Sequence, residues 1–408
     1  MPPPANPGKL MHHVDILSLG LMLLVACLVA ILCRRAGLPY AIGLVAAGIG
    51  IGASGWRMGI DLTPELIFTV LLPPLVFEAA LHLRWGQFRQ EAPLVMTLAF
   101  AGTLLSAGVV TVAMHGLAGW GWGGALLFGA LIAATDPVSV IAMLKEQAAP
   151  QRLRFLMEAE SLVNDGAAAV FFALVAAWIA GGATGPGAIG MALIATAGGG
   201  VLLGLGVAAA LMLVAGRTQD HLVELTLTML AAYGSFLLAE AAHVSGVLAT
   251  LSAGMLVGNW GKGRFLTQTG GEATLRFWDF AAFLANSIVF LLIGSRGAQQ
   301  PIMACLWPAV VGTGAVLLGR AVAIYPLCAL FTRTRLAVEP MTRHILFWGG
   351  LRGALALALA LGAPESLPEH DALISVAFAV VAFSLFVQGL SVPWLIKRAS
   401  CAPPHSAP

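Results

Sequence analysis

Thirteen long apolar runs, separated by short polar stretches, make up almost the whole chain. A helix needs roughly 20 apolar residues, with a range of about 17 to 25, to cross the hydrocarbon core of a bilayer. Each run therefore predicts one transmembrane helix, with boundaries set to within a few residues. The predicted helices 1 to 13 cover residues 14–33, 39–55, 64–82, 94–114, 122–144, 158–181, 188–215, 221–242, 244–258, 277–295, 302–331, 344–362 and 372–396.

The basic residues alternate between the two sides of this topology. With the N-terminus outside, sixteen Lys and Arg fall in inside connections, and only Lys9, Arg57 and Arg296 fall outside. Cytoplasmic loops carry an excess of Lys and Arg, so the alternation predicts a cytoplasmic C-terminus. Residues 14–398 are then one membrane domain between an N-terminal tail (1–13) and a short cytoplasmic tail (399–408). The first run is interpreted as a membrane helix and not as a cleavable signal.

Thirteen spans also predict an internal symmetry. Six helices, one linker helix and six more make the second set start from the opposite side of the membrane, which is the arithmetic of an inverted repeat. Predicted helix 5 then pairs with helix 12, and helix 6 with helix 13. The repeat rests on topology alone, since the two halves share no strong sequence identity.

Composition narrows the class of protein further. Of 408 residues, 59% are hydrophobic and 10% charged, and the mean hydropathy is +0.91. Soluble domains carry about 25% charged residues, so a soluble enzyme is excluded. The net charge of +2, with no basic stripe, indicates no nucleic-acid partner. The five Cys show no CxxC spacing, and no soluble-enzyme motif is present, so we expect no disulfide, cofactor or enzymatic activity.

Predicted helix 5 carries the first polar cluster, Thr135-Asp136-Pro137. Proline lacks an N–H and clashes with the preceding turn, so it breaks or kinks the helix. Such a break frees carbonyl groups and exposes half-helix ends near the middle of the membrane, which suits cation coordination. Asp136 therefore either caps the second half-helix, lies at a transport site, or does both.

Predicted helix 6 carries the second cluster, Glu160-Ser161-Leu162-Val163-Asn164-Asp165. Ser161 and Asp165 are four residues apart and share one helix face, while Glu160 and Asn164 share the adjacent face. A hydroxyl one turn from a carboxylate supplies hard oxygen ligands for a small cation. The alternative is a polar contact between helices, but two carboxylates inside a span are costly for packing alone.

Predicted helix 12 carries Gly349-Gly350-Leu351-Arg352-Gly353. Three glycines around one arginine allow the helix to unwind, and the repeat places this break across the helix 5 break. Arg352 needs an anionic partner, and we expect a buried structural ion pair with Glu160. The alternative is that its long side chain only reaches the cytoplasmic interface.

Predicted helix 3 carries Pro73-Pro74 one turn before Glu78, and a gating role or a supporting role at the site is expected for this carboxylate. Glu224 and Asp279 lie near predicted cytoplasmic helix ends. We expect them to be entrance-funnel charges or loop partners.

At these residues the chain resembles the monovalent cation:proton antiporter-1 family, the NhaP and NHE type of sodium/proton exchangers. The matching motifs are LPPLVFE, TDPV, ESLVND, VSGVLA, FLANSIVFLLIG and GGLRG, at 72–78, 135–138, 160–165, 244–249, 283–294 and 349–353. They cover nearly the whole chain in the order typical of the family. Val163 and Ala159 replace a common Leu and Gly, and a long regulatory tail is not expected.

The resemblance implies a bacterial inner-membrane homodimer with the NhaA/NhaP-like antiporter fold. Each protomer would have a mobile core (helices about 94–181 and 302–396) and a dimerisation part (about 14–82 and 188–295). It also implies roles for individual residues. Asp165 is the ion-binding carboxylate, Asn164 helps to join helices 5 and 6, and Glu160 pairs with Arg352. The other residues implied at the cation and proton site are Ser161, Asp136, Thr135 and Glu78. Of these, Ser161 is implied to bind Na⁺ together with Asp165.

The resulting hypothesis is antiport by competition. Asp165 binds either a proton or a monovalent cation, Na⁺ or alternatively Li⁺ or K⁺, because burial favours the neutral acid and a bound cation favours the carboxylate. In the family that the chain resembles, an Asn-Asp pair such as Asn164-Asp165 usually goes with electroneutral exchange of one cation per proton. A cation channel, an intramembrane enzyme and a non-transporting sensor are the alternatives. Broken helices with inverted topology favour a carrier, and no nucleophile–base pair lies inside the spans.

Overall fold

The structure, a computed structural model, is described for residues 16–55, 59–136, 138–147, 149–181, 186–261 and 263–401. The predicted N-terminal tail, Arg57, Pro137 and residues 402–408 lie outside this described part. The elements within it are α1 (Ile16–Ala36), α2 (Tyr40–Ala53), α3 (Leu66–His82), α4 (Trp85–Ala118), α5a (Trp122–Ile132), α5b (Val138–Glu146), α6 (Gln151–Ile179), α7 (Pro186–Ala215), α8 (His221–Ala241), α9 (Gly246–Leu256, continued by a π-helical turn, Val257–Gly261), α10 (Gln268–Gly297), α11 (Ile302–Leu330), α12a (Pro340–Trp348), α12b (Ala354–Leu361) and α13 (His370–Phe383, Ser384–Gly389 and Leu390–Cys401).

The predicted all-α polytopic membrane protein is confirmed. Within the described residues, each predicted run lies on helix, and eight helices are long and apolar enough to cross a bilayer. Three shorter apolar helices, Tyr40–Ala53, Leu66–His82 and Trp122–Ile132, add to them. Thirteen crossings remain a prediction, because length and hydropathy alone do not decide whether a short or broken helix spans the bilayer.

Several helices begin well before the predicted boundary. The α4, α6 and α10 helices start at Trp85, Gln151 and Gln268, whereas the apolar pattern predicts starts at about 94, 158 and 277. Their first two turns carry charged side chains such as Arg89, and hydropathy does not detect a polar extension of a membrane helix. The predicted existence of the helices was right, and their lengths were underestimated.

The helices divide by their packing into two groups. One group contains α4, α5a, α6, α11, α12b and α13, in which α4 packs most extensively on α11 and on α5a. The second contains α1, α2, α3, α7, α8, α9 and α10, in which the largest contacts are α2 on α10 and α7 on α9.

Glycine allows the close approach of α2 and α10. A Cβ on Gly48 would lie 2.2 Å from the Leu291 carbonyl oxygen, and a Cβ on Gly294 would lie 2.2 Å from the Val45 oxygen. Membrane helices gain little hydrophobic energy by associating in lipid, so close backbone packing over small residues is a main source of their affinity.

Two π-helical turns precede prolines. The first, Leu66–Leu71, lies directly before Pro73 and Pro74 in α3, and the second, Ser384–Gly389, lies before Pro393 in α13. Proline cannot donate to the carbonyl four residues earlier and its ring collides with it, so the helix widens there. The turn in α13 faces the α12 break.

Glu224 is a structural carboxylate and not a funnel charge. It is fully buried, and it accepts hydrogen bonds from the Thr267 backbone N–H at 3.0 Å and from the Thr267 hydroxyl at 3.0 Å. Thr267 in turn caps the start of α10. The loop-partner interpretation of Glu224 is therefore the one that the structure supports.

Candidate functional site

The breaks in predicted helices 5 and 12 meet inside the first helix group. The Asp136 N–H donates to the Leu351 oxygen at 2.7 Å, and Arg352 Nη1 donates to the Ala133 and Ala134 oxygens at 2.8 and 3.0 Å. Carbonyls freed by one break thus find their donor at the other. The predicted crossing is confirmed.

Gly353 sets how closely the two breaks approach. A Cβ at this position would lie 2.2 Å from Asp136 Oδ2 and 2.3 Å from Asp136 Cβ. Side chains essentially never approach so closely, so the crossing requires glycine here.

We expect Gly353→Ala to lower the free energy of unfolding by about 1–3 kcal/mol, the usual effect of forcing an extra methyl into a packed interior. Thermal unfolding of the purified protein measures the change. Gly314→Ala on α11 is the matched control, because nothing lies within 4 Å of a Cβ placed there. Equal melting temperatures for Gly353→Ala and the wild type would contradict the tight crossing.

Asn164 joins α6 to the α5 break. Its Nδ2 donates to the Ala133 oxygen at 3.1 Å and to Thr135 Oγ1 at 2.9 Å, and its Oδ1 accepts from the Thr103 hydroxyl of α4. The side chain is 2% exposed. This is the contact between helices 5 and 6 that the family resemblance implies for Asn164.

Asp165 lies at a cavity between the two helix groups. The cavity has a volume of about 70 Å³, and about 10–15 Å³ suffices for one water. It is lined by Leu72, Leu75, Val76, Ala79, Ala134, Thr135, Asp136, Leu162, Asp165, Asn286, Gly353, Ala354, Leu355 and Ala356. Asp165 Oδ1 is buried and has no hydrogen-bond partner among the described residues. A carboxylate oxygen in this position is open to a proton or a cation.

Hydroxyl groups support the same wall of the cavity. Ser161, one turn before Asp165, lies 3.0 Å from Thr135, oxygen to oxygen, and Thr135 lines the cavity. Asp136, the next residue of the break, lines it as well. Four of the five predicted cation-site residues (Thr135, Asp136, Ser161 and Asp165) are therefore brought together.

Glu78 is the predicted site residue that the structure does not bring to the cavity. Its carboxylate lies 3.3 Å from His82 Nε2, and the same nitrogen lies 3.1 Å from Asp279. Leu75 and Ala79 of α3 line the cavity, and the Glu78 side chain leaves the helix beside them. Asn286 of α10 lines the cavity instead. Sequence reasoning did not single out Asn286, although it lies within the FLANSIVFLLIG motif.

The predicted ion pair between Glu160 and Arg352 is wrong. Glu160 pairs with Arg320 of α11, with Nη1 to Oε1 at 2.7 Å and Nη2 to Oε2 at 3.0 Å, and both side chains are buried. Arg320 also donates to the Leu346 oxygen of α12a at 3.0 Å. The pair thus ties α6, α11 and α12a together, while Arg352 binds the carbonyls of the α5 break. The sequence contains a signal for this pairing, since Arg320, like Arg352, is an arginine inside a predicted span.

Two crossing broken helices, with two carboxylates at a cavity between two helix groups, define the class of secondary transporters built from inverted repeats. The family follows from comparison. Residues 22–398 match the model of the transmembrane sodium/hydrogen exchangers, and the chain belongs to this family. The resemblance found from the motifs is confirmed.

Individual relatives agree with this assignment. The chain is 35% identical over 374 residues to the low-affinity Na⁺/H⁺ antiporter NhaS1 of Synechocystis sp., covering 88% of this chain and 69% of the relative. It is 30% identical to the Na⁺/H⁺ antiporter NhaH of Halobacillus aidingensis, covering 96% and 99%. Among solved structures, the sodium proton antiporter MjNhaP1 of Methanocaldococcus jannaschii matches with a TM-score of 0.75 at 18% identity, over 95% of this chain and 99% of that one. That likeness supports the fold.

Proposed function

We propose that this protein is a secondary active antiporter that exchanges Na⁺ for H⁺ across the bacterial inner membrane. The observation that carries the proposal is that Asp165 Oδ1, at a cavity where two broken helices cross, has no hydrogen-bond partner in the part of the chain that the structure describes. The names of the relatives, which are Na⁺/H⁺ antiporters, favour Na⁺ over K⁺ as the cation. No cofactor and no covalent chemistry are needed.

The proposed mechanism is competition at one carboxylate. Asp165 holds either a proton or a Na⁺, and oxygens of Ser161, Thr135 and Asp136 replace part of the hydration shell of the cation. Small hard cations favour such oxygen ligands. A proton and a cation at the same oxygens exclude each other, so binding of one releases the other.

Charge counting supports an exchange of one cation for one proton. The Glu160–Arg320 pair is neutral by itself. If Asp136 and Asp165 are both ionised in the empty site, their two charges and that of Arg352 sum to one negative charge. One Na⁺ or one H⁺ neutralises it, so both loaded forms carry the same charge through the low-dielectric membrane.

Alternating access follows from relative movement of the two helix groups. We propose that the group with α4–α6 and α11–α13 moves relative to the group with α1–α3 and α7–α10. The second group is proposed to form the contacts between the two protomers of a homodimer in the lipid bilayer. The cavity lies between the groups, with Asp165 on one and Asn286 on the other, so their movement exposes it to either side. The N-terminus is proposed to lie outside and the C-terminus in the cytoplasm, in agreement with the distribution of Lys and Arg.

Transport by purified protein in vesicles tests the proposal. Interior pH is followed with a dye while Na⁺ or K⁺ is added and the membrane potential is clamped at zero or at a set value. We expect Na⁺-driven proton movement whose rate does not change with the potential. Proton movement with K⁺ but not with Na⁺ would mean that the transported cation is K⁺. Na⁺ flux without proton countermovement would favour a channel.

Competition makes a second prediction, for the pH dependence of the Na⁺ requirement. Over the range in which protons occupy Asp165, we expect the half-saturating Na⁺ concentration to rise by up to about tenfold for each unit of falling pH, by mass action. Initial rates across a Na⁺ series at three pH values measure it. A half-saturating concentration that stays constant would mean that proton and cation bind at separate sites.

A further inference from the structure

The α12 break, residues 349–353, leaves backbone groups inside the membrane without helical partners. An unpaired N–H or C=O costs several kcal/mol in a hydrocarbon environment, so such groups need partners from elsewhere in the protein. The break passes directly into the cavity wall, since Gly353, Ala354, Leu355 and Ala356 line it. The position of this wall therefore depends on what holds the break.

Two side chains of the π-helical turn in α13 hold it. The Arg352 N–H donates to Ser384 Oγ at 2.8 Å, and Gln388 Nε2 donates to the Trp348 oxygen at 3.1 Å. Both side chains are buried, at 1% and 3% exposed. They lie four residues apart and so share one face of the helix. One bond thus holds each end of the break.

The α5 break is held in the same manner from α6. Asn164 donates to the Ala133 oxygen and to the Thr135 hydroxyl, within that break. In the predicted inverted repeat, α5 corresponds to α12 and α6 to α13. In both halves, the helix that follows a broken helix supplies buried polar side chains to the break.

We propose that Ser384 and Gln388 are positioning residues for ion binding, the counterparts in the second repeat of Asn164 in the first. They act through the backbone of Trp348 and Arg352, and so keep the Arg352 guanidinium on the α5 carbonyls and residues 353–356 at the cavity wall. The π-helical turn before Pro393 presents them to the break. The proposal rests on the proposed antiport function and adds two residues to its machinery.

The test compares Ser384→Ala with Ser375→Ala in the vesicle assay. Ser375 is the matched control, because it lies on the same helix, is 2% exposed and bonds Gln300, away from the break. We expect Ser384→Ala to raise the half-saturating Na⁺ concentration about tenfold, by analogy with the loss of a buried hydrogen-bond partner, and Ser375→Ala to leave it within about twofold. Ser384→Thr, which keeps the hydroxyl, should restore most of the affinity.

The outcomes separate this proposal from the proposed function. If the wild type shows no Na⁺-driven proton movement, the antiport function falls. If the wild type exchanges and Ser384→Ala keeps the wild-type half-saturating concentration, only the positioning role falls. A loss of melting temperature at unchanged Na⁺ affinity would also overturn it, since it would mean a structural role alone.

Gln388→Leu provides a second measurement through a separate bond, and it decides the question if Ser384→Ala does not assemble. We expect it to weaken Na⁺ affinity as well, and in combination with Ser384→Ala the effects should be non-additive, because both residues hold one break. Wild-type affinity in Gln388→Leu, or effects that simply add, would contradict a shared positioning role.

Discussion

Asp165→Asn is expected to abolish exchange, to the rate of vesicles without protein, while the protein keeps its fold. An amide cannot take up or release a proton near neutral pH and does not offer a negative charge to Na⁺. The substitution costs little packing, because Asn has nearly the same size and Oδ1 of Asp165 has no hydrogen-bond partner to lose among the described residues.

The measurement is proton movement in vesicles, with melting temperature and elution volume as checks on folding. Asp371→Asn is the control, since this exposed carboxylate lies in the first turn of α13, away from the cavity. A folded Asp165→Asn variant that exchanges at the wild-type rate would remove Asp165 from the mechanism.

The second large effect concerns the buried ion pair. We expect Arg320→Met to lower the free energy of unfolding by about 3–5 kcal/mol, because it leaves the Glu160 carboxylate buried without its counter-charge. The double variant Glu160→Gln with Arg320→Met should recover much of the loss, since both charges are then absent. Thermal unfolding of the two single variants and the double variant gives the coupling between the residues.

The same cycle with Arg352 distinguishes the observed pair from the one that the sequence suggested. We expect a coupling of about 2–3 kcal/mol between Glu160 and Arg320 and below about 1 kcal/mol between Glu160 and Arg352. Arg352 donates to backbone carbonyls and not to Glu160. The reverse order of the two couplings would show that the pairing in the structure is wrong.

Local chemistry made the helix breaks and one face of the site predictable. Pro137 and the glycines at 349, 350 and 353 mark the two breaks. The four-residue spacing of Ser161 and Asp165 places them on one face of α6, where Asp165 reaches the cavity and Ser161 contacts the cavity-lining Thr135. These features depend on a single proline, a glycine cluster and the period of one helix, so they can be predicted without knowing where the other helices lie.

Glu78 shows where such reasoning stops. Its helix carries the expected kink and lines the cavity, yet its carboxylate lies against His82 and not among the cavity-lining residues. Residues 75 and 79 are close to it in sequence and face the cavity. The rotation of α3 about its axis decides whether residue 75, 78 or 79 faces the cavity, and packing against α9 and α10 sets this rotation.

The sequence by itself determined that this is a helical membrane protein, where its apolar helices lie, where two of them break, and that Ser161 and Asp165 share one face of α6, because each follows from hydropathy or from spacing within one helix. Only the tertiary structure decided that Glu160 pairs with Arg320, and that Ser384 and Gln388 hold the α12 break. Both arginines lie inside spans and both need a partner there. Which one meets Glu160 depends on the depth and rotation of α11 relative to α6. The pattern within one helix does not contain the positions of helices far away in the chain.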